Sequence, residues 1–194
     1  MSSSTSFTLS PWRTVDILVA TVVAVAAGVL FVLWGQAYVP LSGALTLVLP
    51  GSEALLDGGW LVGGMLVALI VRKPGAAFAG EMIAAVVSVA IGNAWGGAAL
   101  LLGLAQGLAL EAGFAAGRYR RYGWGIVALA GVLAGTVQGT LEVLNWYAGA
   151  TTAFTTVYIA SAAISGVVLA GGFSILVVRG LSRTGVLRTF GHAA

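Results

Sequence analysis

The stretch GWGIVALAGVLAGTVQGTLEVLNW, residues 123–146, decides the fold class. It carries no charge before Glu142, and a membrane-spanning helix needs roughly 20 predominantly apolar residues. It is not apolar all round, however. Gln138, Glu142, Asn145 and Trp146 stand at i, i+4, i+7 and i+8, one face of a helix with 3.6 residues per turn. Polar side chains at that depth face the interior of a bundle or a water-filled cavity and mark a substrate path. The stretch therefore predicts a bilayer and a polar face turned away from it.

The same reading extends along the chain. Charge is also absent from Ile17 to Ser52, from Met82 to Leu110 and from Val143 to Val178. Across the 194 residues 59% are hydrophobic and 8% charged, against about 25% charged in ordinary soluble domains. The expectation is an all-α integral membrane protein, a bundle of six transmembrane helices. The spans are Val15–Trp34, about Ala54–Val71, Pro74–Gly92, Ala98–Gly117, Gly123–Trp146 and Phe154–Val178. The second must include Asp57 or lie obliquely, because only Gly58–Val71 is free of charge. Leu41–Leu49, between Pro40 and Pro50, is too short to span and reads as a re-entrant or interfacial loop covered by protein. The first apolar run is longer than the core of a signal peptide and continues into the bundle. Residues 1–11, rich in Ser and Thr, read as a disordered lead-in, residues 12–181 as the transmembrane domain, and residues 182–194 as a cytoplasmic tail.

The nine basic residues act as topology signals. With six spans, Arg13, Arg72, Lys73, Arg118, Arg120, Arg121, Arg179, Arg183 and Arg188 all fall on one side. The positive-inside rule then puts both termini in the cytoplasm, in the cell membrane. Scattered among helix ends, these residues form no patch for nucleic acid. The absence of cysteine and a lone histidine, His192, exclude thiol catalysis, iron-sulfur ligation and nearly every zinc site.

The other side gathers Trp34, Gln36, Tyr38, Glu53, Asp57, Trp60, Asn93, Trp95, Glu142, Asn145, Trp146 and Tyr147, with no Lys or Arg. Trp and Tyr also populate the headgroup belt of any membrane protein, and Trp12 and Trp124 on the basic side are read as that. The polar stripe on the fifth span singles out a pocket. Its expected contacts are Trp34, Asn93, Trp95, Gln106, Gln138, Glu142, Asn145 and Trp146. Acids and indoles without a basic neighbour suit a small heteroaromatic solute, neutral or cationic. The amides supply donors and acceptors for a ring edge bearing nitrogen and an amino group.

Small residues recur every fourth position at Asp16, Ala20, Ala24 and Gly28, a strip another helix can approach closely. It serves either internal packing or an external partner. Glu81 and Glu111 share faces with small residues near the basic side. They read as a proton relay or as hydrogen-bonded helix contacts.

Three segments in order carry a family resemblance: Arg72-Lys73-Pro74-Gly75-Ala76 leading into Gly80-Glu81; Gly92-Asn93-Ala94-Trp95-Gly96; and Gly103-Leu104-Ala105-Gln106-Gly107 with Glu111 and Arg118-Tyr119-Arg120-Arg121. From about Trp12 to Val178 the chain resembles the YkoE-like substrate-binding (S) components of energy-coupling factor transporters. The resemblance implies a vitamin-binding subunit for thiamin or its hydroxymethylpyrimidine precursor. It would dock on a transmembrane coupling protein driven by two ABC-type ATPases, with Ala20 and Ala24 of the first helix as the contact. The chain has no Gly-x-x-x-x-Gly-Lys-[Ser/Thr] motif, so ATP hydrolysis would be supplied in trans and the chain itself holds no cofactor and is no enzyme. The competing class is a stand-alone secondary transporter coupled to protons through Glu81, Glu111 or Glu142.

Overall fold

The structure, a computed structural model, describes residues 11–187 and 190. Met1–Ser10, Arg188 and His192, and with them most of the expected lead-in and the end of the tail, lie outside the described residues. Those described form helices and turns without a strand. They are α1 (Thr14–Val48), a 3-10 segment (Ser52–Leu61) running into α2 (Val62–Val71), α3 (Ala76–Ile91), α4 (Ala98–Ala116), α5 (Trp124–Trp146), α6 (Thr152–Ser165), a π-helical stretch (Gly166–Gly172) and α7 (Phe173–Arg183). Five segments are long and apolar enough to cross a membrane: α1, Ser52–Val71, α4, α5 and Thr152–Arg183. α3, with 16 residues, is apolar but shorter.

Leu41–Leu49 does not form the expected loop. α1 runs through Pro40 and ends only at Val48. A proline inside a helix removes one N–H and crowds the preceding turn, yet the helix resumes beyond it. The Ser42 hydroxyl donates to the Val39 carbonyl at 3.1 Å and the Thr46 hydroxyl to the Ser42 carbonyl at 2.9 Å. At 1.5 Å per residue the 35 residues of α1 extend about 52 Å, well beyond a hydrocarbon core about 30 Å thick.

α2 is the centre of the bundle, with every residue from Val62 to Val71 buried. α3 packs on both α1 and α2, α4 lies between α3 and α5, and α6 lies against α5 and the 3-10 segment. Small residues permit these approaches. A Cβ on Gly58 would run into the backbone of Ser165, and one on Gly166 into the Gly131 carbonyl. Where Gly58 meets α6, its N–H donates to Ser165 Oγ at 2.8 Å, and that hydroxyl donates onward to the Leu55 carbonyl. The lipid side of α1 is the exposed row of Leu18, Val22, Val29 and Leu33.

Ala20 and Ala24, expected as a partner contact, are buried in the core together with α2 and the start of α3, and a Cβ on Gly28 would meet Val87 and Ala84 of α3. Their strip is internal packing. The partner-interface expectation for these two alanines is therefore corrected, because the close approach that small residues allow is already taken by the chain's own helices.

One end of the bundle collects the basic loops. Asp16, fully buried, accepts from the Arg13 backbone N–H at 2.7 Å and pairs with the Lys73 ammonium at 2.5 Å. The Trp12 indole, expected as a belt residue, donates to the Pro74 carbonyl at 3.0 Å. Glu111 accepts the N–H groups of Gly75 at 2.6 Å and Phe78 at 3.1 Å, so it caps the start of α3. Arg72 lies over the Tyr122 ring at 5.5 Å.

Candidate ligand pocket

At the opposite end, a cavity of about 370 Å³ opens between the helices. Its deeper wall comes from Phe31 of α1, Glu81 and Ala85 of α3, and Gln106 of α4. Higher up stand Ser88, Asn93 and Trp95 on one side, and Gln138, Glu142 and Trp146 of α5 on the other. Tyr38, Trp60, Tyr147 and Tyr158 complete the rim and roof.

Two aromatic groups frame the opening. Tyr38, Trp60 and Trp95 meet edge to face, with centroids 5.1 Å apart for Tyr38–Trp60 and 4.9 Å for Trp60–Trp95. Tyr147 and Tyr158 lie 5.1 Å apart. Edge-to-face packing is an arrangement such rings prefer, and these rings border the cavity.

The polar centre is Glu142. Its Oε1 accepts from Gln138 Nε2 at 3.0 Å and its Oε2 from the Tyr158 hydroxyl at 2.8 Å, so both oxygens are aimed by neighbours on α5 and α6. No Lys or Arg lines the cavity. Asp57 of the 3-10 segment is buried against Glu142, within hydrogen-bond reach of its carboxyl group, so the two acids can share a proton. Asn93 shapes the wall: its Nδ2 donates to Ser88 Oγ at 3.0 Å, and its Oδ1 accepts the Trp95 backbone N–H at 2.8 Å. That turn presents the Trp95 ring to the cavity.

Of the expected contacts, the structure brings Asn93, Trp95, Gln106, Gln138, Glu142 and Trp146 to one cavity. Two fall elsewhere. Asn145 is exposed at the last turn of α5, where its Nδ2 donates back to the Leu141 carbonyl at 2.7 Å. Trp34 donates its indole N–H to the Leu56 carbonyl at 3.0 Å, and its ring fills the space over Gly59 that a side chain would need. It fastens the 3-10 segment to α1 instead of lining the pocket. Tyr158 and Glu81 border the cavity too, although neither lies on the polar stripe of α5. The signal for Tyr158 was a phenol in an otherwise uncharged membrane helix, since a buried hydroxyl requires a partner. Glu81 is fully buried and accepts the Gly64 N–H at 2.8 Å, yet it also borders the cavity.

Comparison with known proteins gives a consistent picture. A family model described as "ABC-type cobalt transport system, permease component" matches residues 15–137. The HMP/thiamine permease protein YkoE of Bacillus subtilis (strain 168) is 29% identical over 180 residues, covering 92% of this chain and 89% of that protein. A crystal structure of an S-component of an ECF transporter superposes with a TM-score of 0.83 at 28% identity, covering 92% of this chain and 90% of that one.

Proposed function

Since the chain belongs to the family of ABC-type transport-system permease components and is an S component of the energy-coupling factor type, a membrane transport subunit and not an enzyme, we propose that its cargo is thiamin or the hydroxymethylpyrimidine precursor of thiamin. The observation that carries this reading is the carboxylate of Glu142, aimed by Gln138 and Tyr158 into a cavity framed by indole and phenol rings without a basic residue. A cationic thiazolium or an aminopyrimidine is the kind of solute such a site accepts. The cobalt of the family description is poorly matched by these residues. The cavity offers neither His nor Cys, and among the described residues no group of three or more His, Cys, Asp or Glu is placed to hold an ion.

In this reading α3 makes a sixth crossing of the cytoplasmic membrane, and both termini lie in the cytoplasm beside the basic loops. The cavity then opens outward and captures the vitamin, and a transmembrane coupling protein with two ABC ATPases supplies the energy for release inside. Titration of the purified subunit with thiamin and with hydroxymethylpyrimidine, followed by Trp fluorescence, tests the assignment. Saturable quenching by either compound is expected, from Trp60, Trp95 and Trp146. Absence of saturable binding by both would overturn it.

A further inference from the structure

Asp57 is almost fully buried and stands outside the lining of the cavity, with its carboxyl group within hydrogen-bond reach of that of Glu142. Glu142 does border the cavity, and its two oxygens accept from Gln138 Nε2 at 3.0 Å and from the Tyr158 hydroxyl at 2.8 Å. No N–H or hydroxyl of the described residues donates to Asp57. The groups that face this pair are of one kind. Tyr38 comes from α1, Glu53 from the 3-10 segment itself, Tyr147 from the turn after α5, and Tyr158 from α6. The Glu53 carboxylate is engaged by the Gly51 N–H at 2.8 Å. α2 and the π-helical stretch, which also pack on the 3-10 segment, carry no titratable residue. From α3 and α4 the cavity receives Glu81 and Gln106, and no Lys or Arg lines it. Two carboxyl groups in contact and out of water cannot both stay ionised, so such a pair keeps a proton between them.

We propose that Asp57 is a positioning residue that acts through Glu142: the two acids hold a shared proton in the empty cavity, and a cationic cargo displaces it while a neutral cargo does not. The O–H bond of the shared proton breaks as the cation arrives, and the proton passes to bulk water. The charge of the cargo takes over its part beside the two carboxylates. Nothing is oxidised or reduced. A neutral ring brings no charge to stand in for the proton and leaves it in place. The bound state with a cation therefore holds fewer protons than the empty one, so raising the pH favours capture, by up to about tenfold in affinity per pH unit for one proton released. The inference rests on the cavity being the cargo site.

Calorimetric titration of the purified protein with thiamin and with hydroxymethylpyrimidine, repeated at neutral pH in buffers of different ionisation enthalpy, counts the protons exchanged. The aminopyrimidine is common to both probes, so its own titration cancels in the difference. Thiamin should release up to about one proton more than hydroxymethylpyrimidine does. Asp57→Asn keeps the size and offers Glu142 an amide donor, leaving a single carboxylate with no shared proton to give up. It should still bind thiamin, without the extra proton and with a flattened pH profile. Glu142→Gln removes the other acid and should also lose the extra proton, so the test does not hang on the folding of one variant. A purely structural role for Asp57 would lower stability or both affinities and leave the proton count as in the parent. An extra proton that persists in Asp57→Asn, or none in the parent, would overturn the pair. A protein that binds hydroxymethylpyrimidine and refuses thiamin would overturn it too, because the acids would then be closed to a cation. A parent that binds neither probe would instead overturn the cargo assignment, and this inference with it.

Discussion

The two ends of the bundle treat buried polarity in opposite ways. At the basic end each acid is matched from within the chain: Asp16 with the Arg13 backbone and Lys73, and Glu111 with the N–H groups that open α3. At the cavity end Glu81 and Gln138 keep buried oxygens without partners, and Glu142 has the acid Asp57 beside it and no cation. One end is closed by its own hydrogen bonds, and the other is short of donors. Stability should therefore depend on the first, and ligand selection on the second.

Removing the matched acid should have the largest effect. Asp16→Ala leaves Lys73 without its partner and the start of α1 uncapped, and breaking such a pair costs about 3 kcal/mol or more. Thermal melting in mild detergent should show a marked fall, while the affinity of the remaining folded protein for its ligand stays at the parent value. Next comes Glu142→Gln at the open end. It should cost about 1.5 to 3 kcal/mol, hence roughly 10- to 150-fold in affinity for a cationic ligand and less for a neutral pyrimidine, with little change in melting. Equal losses in stability at both sites would erase the contrast between the ends.

Ala24→Leu sharpens the comparison from a third position. The added volume must enter the interior beside α2 and α3, and overpacking costs typically about 1–3 kcal/mol. Melting should fall; a variant as stable as the parent would show that the strip can open after all. The smallest effect is expected from Tyr158→Phe, which deletes one hydroxyl from Glu142 and leaves the ring in place. About 1 kcal/mol, or roughly fivefold in affinity, should be lost in a titration.

How much of this was legible in the sequence follows from which forces act locally. Missing charge over long runs marks membrane helices, and a period of 3.6 marks which side of α5 is polar. Gln138, Glu142 and Trp146 were readable for that reason. Asn145 shares the period but lies at a helix end, where an amide can satisfy itself on its own backbone. Leu41–Leu49 misled because nine residues between prolines look isolated, whereas in the structure they extend an existing helix and needed no length of their own. Tyr158 and Glu81 reach the cavity from helices distant in sequence, and no local pattern tells which helices will be neighbours. The same holds for Ala20 and Ala24: a smooth strip declares that something lies close, but not whether the partner is the chain itself.

The π-helical stretch at Gly166–Gly172 has a consequence for how the last span divides its faces. A π turn holds an extra residue, and each residue of an α-helix turns the face by about 100°. Above it Tyr158, Ala162 and Ser165 point inward; within it Ala170 does, and below it Ser174 and Val178, while Leu176 is exposed. Deleting one residue within 166–172 would restore a regular helix and rotate the lower half of the span by about that angle, turning Ser174 towards lipid and a branched apolar side chain towards α2. The span thus behaves as two half-helices with independent facing joined by a spacer one residue long, and its upper half can hold Tyr158 on Glu142 whatever packing the lower half requires.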